Sequence, residues 1–285
     1  MPTKRQLNIA ILFGGRSAEH EVSWQSAKNV ISALDKKKYN PVLIFIDKSG
    51  RWFLNNKSGD SIALLPQSNG KITNLTHPKI KQKIDVVFPV LHGPFGEDGT
   101  VQGLLKLANA PFVGAGVLGS AVGMDKDVMK RLLRDAGLPI GKFSVFKKMD
   151  KINFKDVVTK LGLPLFVKPA NLGSSVGISK VKNKKSLSKA IAEAFKYDTK
   201  ILIEEFINGR EIECAVLGND NPIASMPGEI IPSHDFYSYN AKYIDDKGAR
   251  LEVPAKLPGA IREKIQKLAV KTFQTLCCEG LGRVD

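Results

Sequence analysis

The stretch His92-Gly93-Pro94-Phe95-Gly96-Glu97-Asp98-Gly99-Thr100-Val101-Gln102-Gly103 says most about the fold. It follows an apolar run, 85–91, that predicts a buried strand, and it precedes an amphipathic run, 104–108, that predicts a helix. Open α/β folds bind ligands where a strand passes into a helix, and glycines let the backbone approach a ligand closely. One imidazole, two adjacent carboxylates and four glycines therefore indicate a ligand site. The alternative is a polar turn whose acids complement the dipole of the next helix.

Strand and helix patterns alternate in the first third of the chain. A strand is predicted over 7–13, a helix capped by Ser17 follows, and two more strands lie at 42–46 and 86–91. This βαβ order predicts a parallel sheet. Residues 55–76 are polar and rich in turn formers, which predicts an excursion over the surface.

The pattern changes after the glycine-rich segment 114–123. A helix capped by Asp125 and ended by Gly137 opens a stretch in which strands and helices are mixed. The last predicted elements are strands at 200–207, 211–217 and 223–231 and a helix over 261–276. The predicted fold class is α/β, with an N-terminal parallel βαβ domain over residues 1–123 and two α+β lobes over residues 124–203 and 204–285.

Composition limits the class of protein. The 285 residues suffice for about two domains, and no apolar run approaches the length of a membrane span. The net charge of +15 permits nucleic-acid binding. However, the lysines are spread along the chain, so a solvated surface and an anionic substrate explain the charge more economically. The three cysteines show neither metal-ligand spacing nor a disulfide pattern. We therefore expect a cytoplasmic protein with no nucleic-acid or membrane partner.

A second glycine-rich phrase, Phe166-Val167-Lys168-Pro169-Ala170-Asn171-Leu172-Gly173-Ser174-Ser175-Val176-Gly177, joins two predicted strands. Small residues can present backbone N–H groups to phosphate oxygens, and Lys168 adds a full positive charge. The loop leads from strand to strand, so it is not the P-loop pattern. It predicts an anion-binding hairpin, and the alternative is a flexible hairpin with an exposed lysine.

Carboxylates gather at the end of the next long strand. Glu204-Glu205-Phe206-Ile207 closes that strand, and Glu211 follows soon after. Such carboxylates can accept hydrogen bonds from ribose hydroxyls, and the backbone between them can bond an adenine edge. The alternative is an exposed strand end.

A formal match to the dinucleotide-binding fingerprint occurs at Gly114-Ala115-Gly116-Val117-Leu118-Gly119. These glycines come late in the βαβ run, whereas the fingerprint follows the first strand of such a fold. The position therefore argues against a dehydrogenase.

Taken together, these phrases resemble the ATP-grasp ligases, and within them the D-alanine–D-alanine ligase family, from Asn8 to Asp285. Further motifs in the family's order carry the resemblance: Gly14-Gly15-Arg16-Ser17-Ala18-Glu19-His20-Glu21-Val22-Ser23, Met124-Asp125-Lys126, Phe236-Tyr237-Ser238-Tyr239-Asn240-Ala241-Lys242-Tyr243 and Gly282-Arg283-Val284-Asp285. Several independent motifs in the right order are far more specific than any one of them.

The resemblance implies a two-step reaction used in peptidoglycan synthesis. ATP phosphorylates the carboxylate of one D-alanine, and the amine of a second D-alanine attacks the acyl phosphate. Lysines and Mg²⁺ (or Mn²⁺) would neutralise the transferring phosphoryl group, and water must be excluded from the acyl phosphate. The implied partners are the small molecules D-alanine and ATP, and a homodimer is left open.

The resemblance also implies roles for individual residues. ATP would be bound by Lys126, Lys168, Glu204, Glu205, Phe206, Ile207, Glu211 and Lys242. Glu19 would engage the amine of the first D-alanine and, with Ser174 and Tyr243, would link loops that close over the site. His92 would line the substrate pocket, Arg283 would stabilise the tetrahedral oxyanion, and Asp285 would ligate Mg²⁺.

Four of these residues have simpler alternatives. Glu19 would lie in the first turn of a helix, where acids are favoured in any case. Lys126 would be an ordinary solvated lysine, Tyr243 a packed loop aromatic, and Arg283 the partner of a neighbouring acid.

The sequence departs from the family at its end. In the family, a strand continues beyond the aspartate that matches Asp285, and a second strand brings a Glu-x-Asn motif that completes the metal sites. Hard cations need several oxygen ligands, so this sequence predicts little D-alanine-dependent phosphate release from ATP. The alternatives are a non-catalytic nucleotide-binding fragment and a related ligase that uses D-lactate or D-serine as its second substrate.

Overall fold

A computed structural model describes residues 5–56, 59–79, 81–233 and 248–285 of the chain. The chain divides into two compact units, Met1–Ala121 and Val122–Asp285. Among the described residues, none of the helices combines the length and apolar character that a membrane span requires. The α/β class is confirmed, because a partly parallel sheet and two antiparallel sheets are combined with helices.

The first unit is built on a seven-stranded sheet. Its strands are β1 Leu7–Gly14, β2 Tyr39–Ile46, β3 Trp52–Leu54, β4 Ser61–Leu64, β5 Lys71–Asn74, β6 Lys81–Lys83 and β7 Val86–Pro89. They lie in the order β6-β5-β4-β3-β2-β1-β7, where β1 is parallel to β2 and β7 and the other pairs are antiparallel. The helices are α1 His20–Ala33, α2 Thr100–Leu107 and α3 Val117–Met124, and the division between the units falls within α3.

The central strand β1 is buried on both faces. Ala10 and Leu12 belong to one apolar cluster with Leu105 of α2, whereas Ile11 packs in a second cluster with Ala27 of α1. Burial on both sides is typical of a parallel strand covered by helices. It explains why this run reads as continuously apolar rather than alternating.

The expected surface excursion over residues 55–76 is wrong, because this segment contributes β4 and β5 to the sheet. Ile62, Leu64 and Ile72 point into the core and are at most 9% exposed. Apolar residues at every second position are the pattern of a strand with one buried face, and the many turn formers around them obscured it.

The second unit contains two antiparallel sheets. The first has the order β10-β9-β11-β8, with β8 Phe143–Lys147, β9 Leu165–Pro169, β10 Ser179–Val181 and β11 Lys200–Glu205. The second has the order β13-β12-β14-β15, with β16 paired to β12; its strands are β12 Glu211–Gly218, β13 Ile223–Ala224, β14 Gly228–Pro232, β15 Ala249–Glu252 and β16 Gly280–Val284. The helices are α4 Lys126–Asp135, α5 Phe154–Leu161, α6 Lys184–Ala194 and α7 Gly259–Thr275. The three-domain division at residues 123 and 203 stays a prediction.

One predicted strand of this unit is divided in the structure. The run 223–231 forms two strands, β13 and β14, separated at residues 225–227. Pro227 lies in the gap, and a proline has no N–H to donate to a sheet. The single long strand predicted there is therefore wrong.

Helix α7 ends in a turn that favours glycine but contains Cys277. The Cys277 N–H donates to Gln274 O and the Cys278 N–H donates to Phe273 O, each at 3.0 Å, which is the hydrogen-bond pattern of a Schellman cap. Cys277 has φ +54, in the left-handed region that costs a residue with a Cβ about 1–2 kcal/mol. We expect Cys277→Gly to raise the free energy of unfolding by about 1 kcal/mol, measured by urea denaturation followed by circular dichroism.

The same cap at the end of α4 offers a matched control. Gly137 has φ +70, and a Cβ added there would meet no atom within 4 Å. Gly137→Ala should therefore lower the stability by about 1 kcal/mol through backbone strain alone. If both substitutions changed the free energy of unfolding in the same direction, the strain argument would be contradicted.

Candidate functional site

Lys168 and Glu204 lie on neighbouring strands and face the same side of their sheet. Lys168 of β9 is paired with Leu202 of β11, and Glu204 is two residues further along β11, so both side chains project from one face. The distance from Lys168 Nζ to Glu204 Oε2 is 2.7 Å, and the Glu204 side chain is 8% exposed. The alternative of an exposed lysine is therefore wrong, and that of an exposed strand end is wrong for Glu204, although residues 206–211 beyond it are exposed.

A second lysine contacts the other oxygen of this carboxylate. Lys130 Nζ lies 3.3 Å from Glu204 Oε1. Burial alone would raise the pKa of Glu204, but Lys168 and Lys130 hold that pKa below its ordinary value. Glu204 is therefore a buried anion between two cations. Lys130 is not among the residues predicted from the sequence; its position one helical turn after Lys126 was the only signal for it.

Lys126 begins helix α4 and points back to the glycine-rich loop. Its ammonium group donates to Leu172 O and, at 3.4 Å, to Ala170 O. Burial, with a smaller contribution from the positive charge of Lys168, lowers the pKa of Lys126 to about 8. Lys126 is thus a half-buried group that loses its charge near pH 8, and the alternative of an ordinary solvated lysine is wrong.

An ion-pair cluster fixes the start of α4. The Asp125 side chain accepts hydrogen bonds from the N–H groups of Asp127 and Val128, as the sequence predicted for a capping residue. Lys200 Nζ lies 2.7 Å from Asp125 and 3.1 Å from Asp127. Burial alone would raise the pKa of Asp125, but the Lys200 hydrogen bond and two backbone N–H groups keep it below its usual value. The cap therefore ties Lys126 to the first residue of β11.

The loop after β9 has unusual backbone geometry. Ser174 and Ser175 have φ +51 and +62, and Gly177 has φ +69. Non-glycine residues in the left-handed region are costly and cluster at functional sites. The hairpin is confirmed by the antiparallel pairing of β9 with β10. Its base is held by Asp198, which accepts hydrogen bonds from the Asn171 N–H at 2.8 Å and from Asn171 Nδ2 at 3.0 Å.

Beyond Glu205 the chain leaves the sheet with exposed apolar side chains. Phe206 is 36% and Ile207 67% exposed. The centres of the Phe206 and Phe166 rings are 6.0 Å apart, and Lys180 Nζ lies 4.5 Å from the centre of the Phe206 ring. Apolar faces beside a buried cationic cluster suit a planar ring joined to phosphates.

The two other acids of this segment have separate surroundings. Glu205 Oε1 accepts a hydrogen bond from the Lys142 N–H at 2.6 Å, and the Glu205 N–H donates to Lys142 O at 3.0 Å. Glu211 begins β12, is exposed, and is paired in register with Ile230. Glu205 therefore fixes the end of β11, whereas Glu211 lies on the neighbouring sheet of the same unit.

Arg283 and Asp285 lie at the end of β16. Arg283 Nε is 3.1 Å from Asp285 Oδ1 and 3.4 Å from Glu213 Oε2. The alternative of a simple ion pair thus describes Arg283 as observed. Within 5–56, 59–79, 81–233 and 248–285, no group of three or more histidines, cysteines or acids could hold a metal ion.

Glu19 and His92 lie on two loops of the first unit that Ser17 joins by hydrogen bonds. Ser17 Oγ donates to His92 O at 2.6 Å and accepts from the Glu19 N–H at 3.1 Å. Gly93 has φ +71, which favours glycine, and a Cβ there would lie 2.8 Å from Glu19 Oε2 and displace that carboxylate. Glu19 is 5% exposed and precedes α1. The helix cap predicted at Ser17 is wrong, since α1 begins at His20.

The acids of the His92 loop mainly shape the loop itself. Glu97 Oε2 accepts from the Gly93 N–H at 2.6 Å, and the Asp98 carboxylate accepts from the N–H groups of Phe95 and Thr100 at 2.8 and 3.0 Å. Asp98 thus accepts a hydrogen bond from the first residue of α2, as the polar-turn alternative requires. His92 Nε2 contacts Ser26 Oγ at 3.2 Å. Of the predicted site residues, Lys242 and Tyr243 lie outside the described residues.

Two family models match most of the chain, and individual relatives match nearly all of it. The family model described as D-ala D-ala ligase N-terminus matches residues 8–115, and that described as D-ala D-ala ligase C-terminus matches residues 132–285. A D-alanine–D-alanine ligase of Oceanobacillus iheyensis is 50% identical over 297 positions, covering 97% of this chain and 81% of the relative. D-alanine–D-alanine ligase A of Salmonella typhimurium is 50% identical over 300 positions, covering 98% and 82%.

Solved structures give the same result. The D-alanine–D-alanine ligase from Coxiella burnetii superimposes with a TM-score of 0.88 at 38% identity, covering 98% of this chain and 80% of that one. The VanG D-Ala:D-Ser ligase from Enterococcus faecalis superimposes with a TM-score of 0.87 at 36% identity, covering 98% and 85%.

Proposed function

We infer the function of this chain from the family to which it belongs, the D-alanine–D-alanine ligases of the ATP-grasp superfamily. The function is ATP-dependent ligation of two D-alanines to D-alanyl-D-alanine, a building block of peptidoglycan. The observation that carries this reading is the cluster of Lys126, Lys168 and Glu204 beside the glycine-rich hairpin. It combines cations for phosphates with a buried acceptor for a nucleoside.

The reaction proceeds in two balanced steps. A carboxylate oxygen of the first D-alanine attacks the γ-phosphorus, the bond to the β,γ-bridging oxygen breaks, and ADP leaves. The amine of the second D-alanine then attacks the acyl carbon, and inorganic phosphate leaves with the carbon–oxygen bonding pair. The amine loses its proton as the peptide bond forms. Both steps develop negative charge on phosphoryl oxygens, which fixed cations stabilise.

The nucleotide is bound by the second unit. Lys126 and Lys168 contact its phosphates, and the left-handed turn at Ser174 presents backbone N–H groups to them. Glu204 and the backbone of 205–207 hold the adenine, whose face packs on exposed apolar side chains, and Glu211 accepts from the ribose hydroxyls. Lys242 approaches the transferred phosphoryl group.

The first D-alanine is bound by the first unit. The Glu19 carboxylate is buried next to Gly93, which suits an ammonium group. His92 lines the same pocket, and its ring is oriented by Ser26. By the family resemblance we propose roles in loop closure for Ser174 and Tyr243 and, for Arg283, the stabilisation of the tetrahedral oxyanion. The protein acts in the cytoplasm, and a homodimer is the proposed assembly.

The family also implies Mg²⁺, and the described residues supply part of a site for it. Asp285 and Glu213 flank Arg283 and are carboxylates of the kind that Mg²⁺ prefers. Two acids that share an arginine do not complete the octahedral set of oxygen ligands. We propose Mg²⁺ as the cofactor together with ATP because the family implies it, and Asp285 and Glu213 would supply only part of its oxygen ligands.

D-serine is the alternative to D-alanine as the second substrate. The close superposition on a D-Ala:D-Ser ligase favours D-serine as an alternative to the second D-alanine. Both acceptors use the same nucleophilic amine, so the nucleotide site would be unchanged. The two substrates differ only in their side chains, so the protein groups around the acceptor side chain would decide between them.

One pair of measurements tests the proposal. ATP binding is measured by isothermal titration calorimetry, and ADP formation is followed with D-alanine, D-serine, D-lactate or L-alanine added. We expect saturable ATP binding and ADP formation that depends on D-alanine and not on L-alanine, and the rate of that ADP formation tests the low turnover predicted from the incomplete set of metal ligands. Binding without D-alanine-dependent ADP formation would identify a nucleotide-binding protein instead. ADP formation that requires D-serine in addition to D-alanine would assign D-serine as the second acceptor.

A further inference from the structure

We propose that Lys130 is a positioning residue of the nucleotide site. It holds one oxygen of the Glu204 carboxylate, so that Lys168, on the other oxygen, can be shared between that carboxylate and a phosphate. The inference rests on the proposed function, because it assigns a role to a residue behind the ligand-binding groups. Neither the motifs that carry the family resemblance nor the candidate site residues include it.

The first step is the position of Lys130. It lies four residues after Lys126 on α4, so both side chains lie on one face of the helix. Lys126 reaches the carbonyls of the glycine-rich loop, whereas Lys130 reaches Glu204 on β11. One helix therefore places one lysine at the loop and one at the strand end.

The second step is the set of partners around the Lys130 ammonium group. Glu204 Oε1 is at 3.3 Å, Gly141 O is at 3.4 Å, and the centre of the Phe143 ring is at 5.2 Å. The Lys130 side chain is 13% exposed, against 25% for Lys168. Lys130 is thus enclosed by protein groups, and Lys168 is the lysine that a ligand reaches more easily.

The third step is the charge balance. Two ammonium groups, on Lys130 and Lys168, contact the one carboxylate of Glu204. This excess of positive charge suits an incoming polyphosphate. Lys168 must then compensate Glu204 and also attract the phosphate, which is possible only if another cation compensates the carboxylate.

Loss of Lys130 should therefore weaken binding indirectly. A buried carboxylate with one cation removed either takes up a proton or binds the remaining cation more tightly. The first change removes the acceptor for the nucleoside, and the second holds Lys168 away from the phosphate. Both changes act through Glu204, which makes the role testable by a double-mutant cycle.

The experiment measures ATP affinity by calorimetry for Lys130→Met, Lys130→Gln, Lys130→Arg, Glu204→Gln and the double variant Lys130→Met/Glu204→Gln. We expect Lys130→Met and Lys130→Gln to weaken ATP binding about tenfold, and Lys130→Arg to restore it to within about threefold of the parent. In the Glu204→Gln background, Lys130→Met should add less than about threefold. The matched control is Lys189→Met, an exposed lysine within α6, which should leave the affinity unchanged.

Three results would contradict the inference. Parent-like affinity of Lys130→Met would show that the contact does not support binding, and Lys130→Gln serves the same purpose if the methionine variant does not fold. An undiminished effect of Lys130→Met in the Glu204→Gln background would show that Lys130 acts by packing or by direct contact. A parent protein that does not bind ATP would contradict the proposed function itself, and the inference with it.

Discussion

Replacing Lys126 by methionine should weaken ATP binding about 100-fold without lowering the stability of the protein at pH 7. The loss of affinity follows because the partly buried ammonium group, beside the glycine-rich loop, is proposed to contact the phosphates. Methionine has a similar length and no charge, so it fills the space without supplying the electrostatic attraction. Calorimetric titration with ATP measures the effect.

In Lys126→Met, the free energy of unfolding should stay the same or rise while the ATP affinity falls. Burial lowers the pKa of Lys126 from 10.5 to about 8 in the folded protein. The unfolded chain therefore binds more protons than the folded chain between pH 8 and pH 10.5, and the stability contributed by this group rises with pH across that window. Below pH 8 the buried ammonium group opposes folding. Removing it should leave the unfolding free energy at pH 7 equal or higher, by up to about 3 kcal/mol.

The titration of Lys126 should also appear in the pH dependence of ATP binding by the parent protein. Lys126 is charged below pH 8, so this group adds no pH dependence to ATP binding there. Above pH 8 the ligand must bind a protein that has lost the proton, and the affinity should fall by at most about tenfold per pH unit. In Lys126→Met this dependence should disappear.

A control variant and a stability measurement limit the interpretation of the Lys126 result. Lys189→Met removes an exposed lysine from the middle of α6 and should change neither affinity nor thermal midpoint. Scanning calorimetry at pH 7 compares the stability of the three proteins. ATP affinity of Lys126→Met within about threefold of the parent, or a clear drop in its thermal midpoint, would contradict the description of Lys126 as a destabilising ligand-binding group.

The cluster around Glu204 shows how much of the site the sequence could predict. Lys168 precedes a glycine-rich hairpin and Glu204 ends the next long strand, and local pattern alone marked both as candidates. Their contact at 2.7 Å depends on the antiparallel pairing of β9 with β11, which no local pattern specifies. Lys130 was missed for the same reason, because its partner is more than 70 residues away in the chain.

The fold was predictable where periodicity is strong and uncertain where turn formers dominate. The apolar run of β1 and the Asp125 cap of α4 were predicted correctly, since each is a local signal. The short strands β4 and β5 were missed because only three apolar residues show their alternation among glycines, asparagines and serines. The start of α1 was misplaced because Ser17 bonds the N–H of Glu19 and the carbonyl of His92 instead of capping the helix.

The largest effect on stability is expected for Gly14→Ala at the end of β1. Gly14 has φ +89, and a Cβ there would lie 2.3 Å from Ile46 O. That carbonyl cannot move away, because it accepts a hydrogen bond from the Gly15 N–H at 2.8 Å. The Gly14 N–H is likewise fixed by Ser23 Oγ at 2.9 Å. Backbone strain and an unavoidable clash should together cost about 3–5 kcal/mol.

Tryptophan fluorescence during urea unfolding measures this cost directly, because the only two tryptophans of the chain, Trp24 and Trp52, lie in the first unit. Gly103→Ala is the matched control in the same unit. Gly103 lies inside α2, and a Cβ there would meet no atom within 4 Å, so alanine should stabilise the unit by about 0.5–1 kcal/mol. Substitutions of equal size should thus shift stability in opposite directions. A Gly14→Ala protein as stable as the parent would mean that the turn leading to Glu19 does not depend on this left-handed glycine.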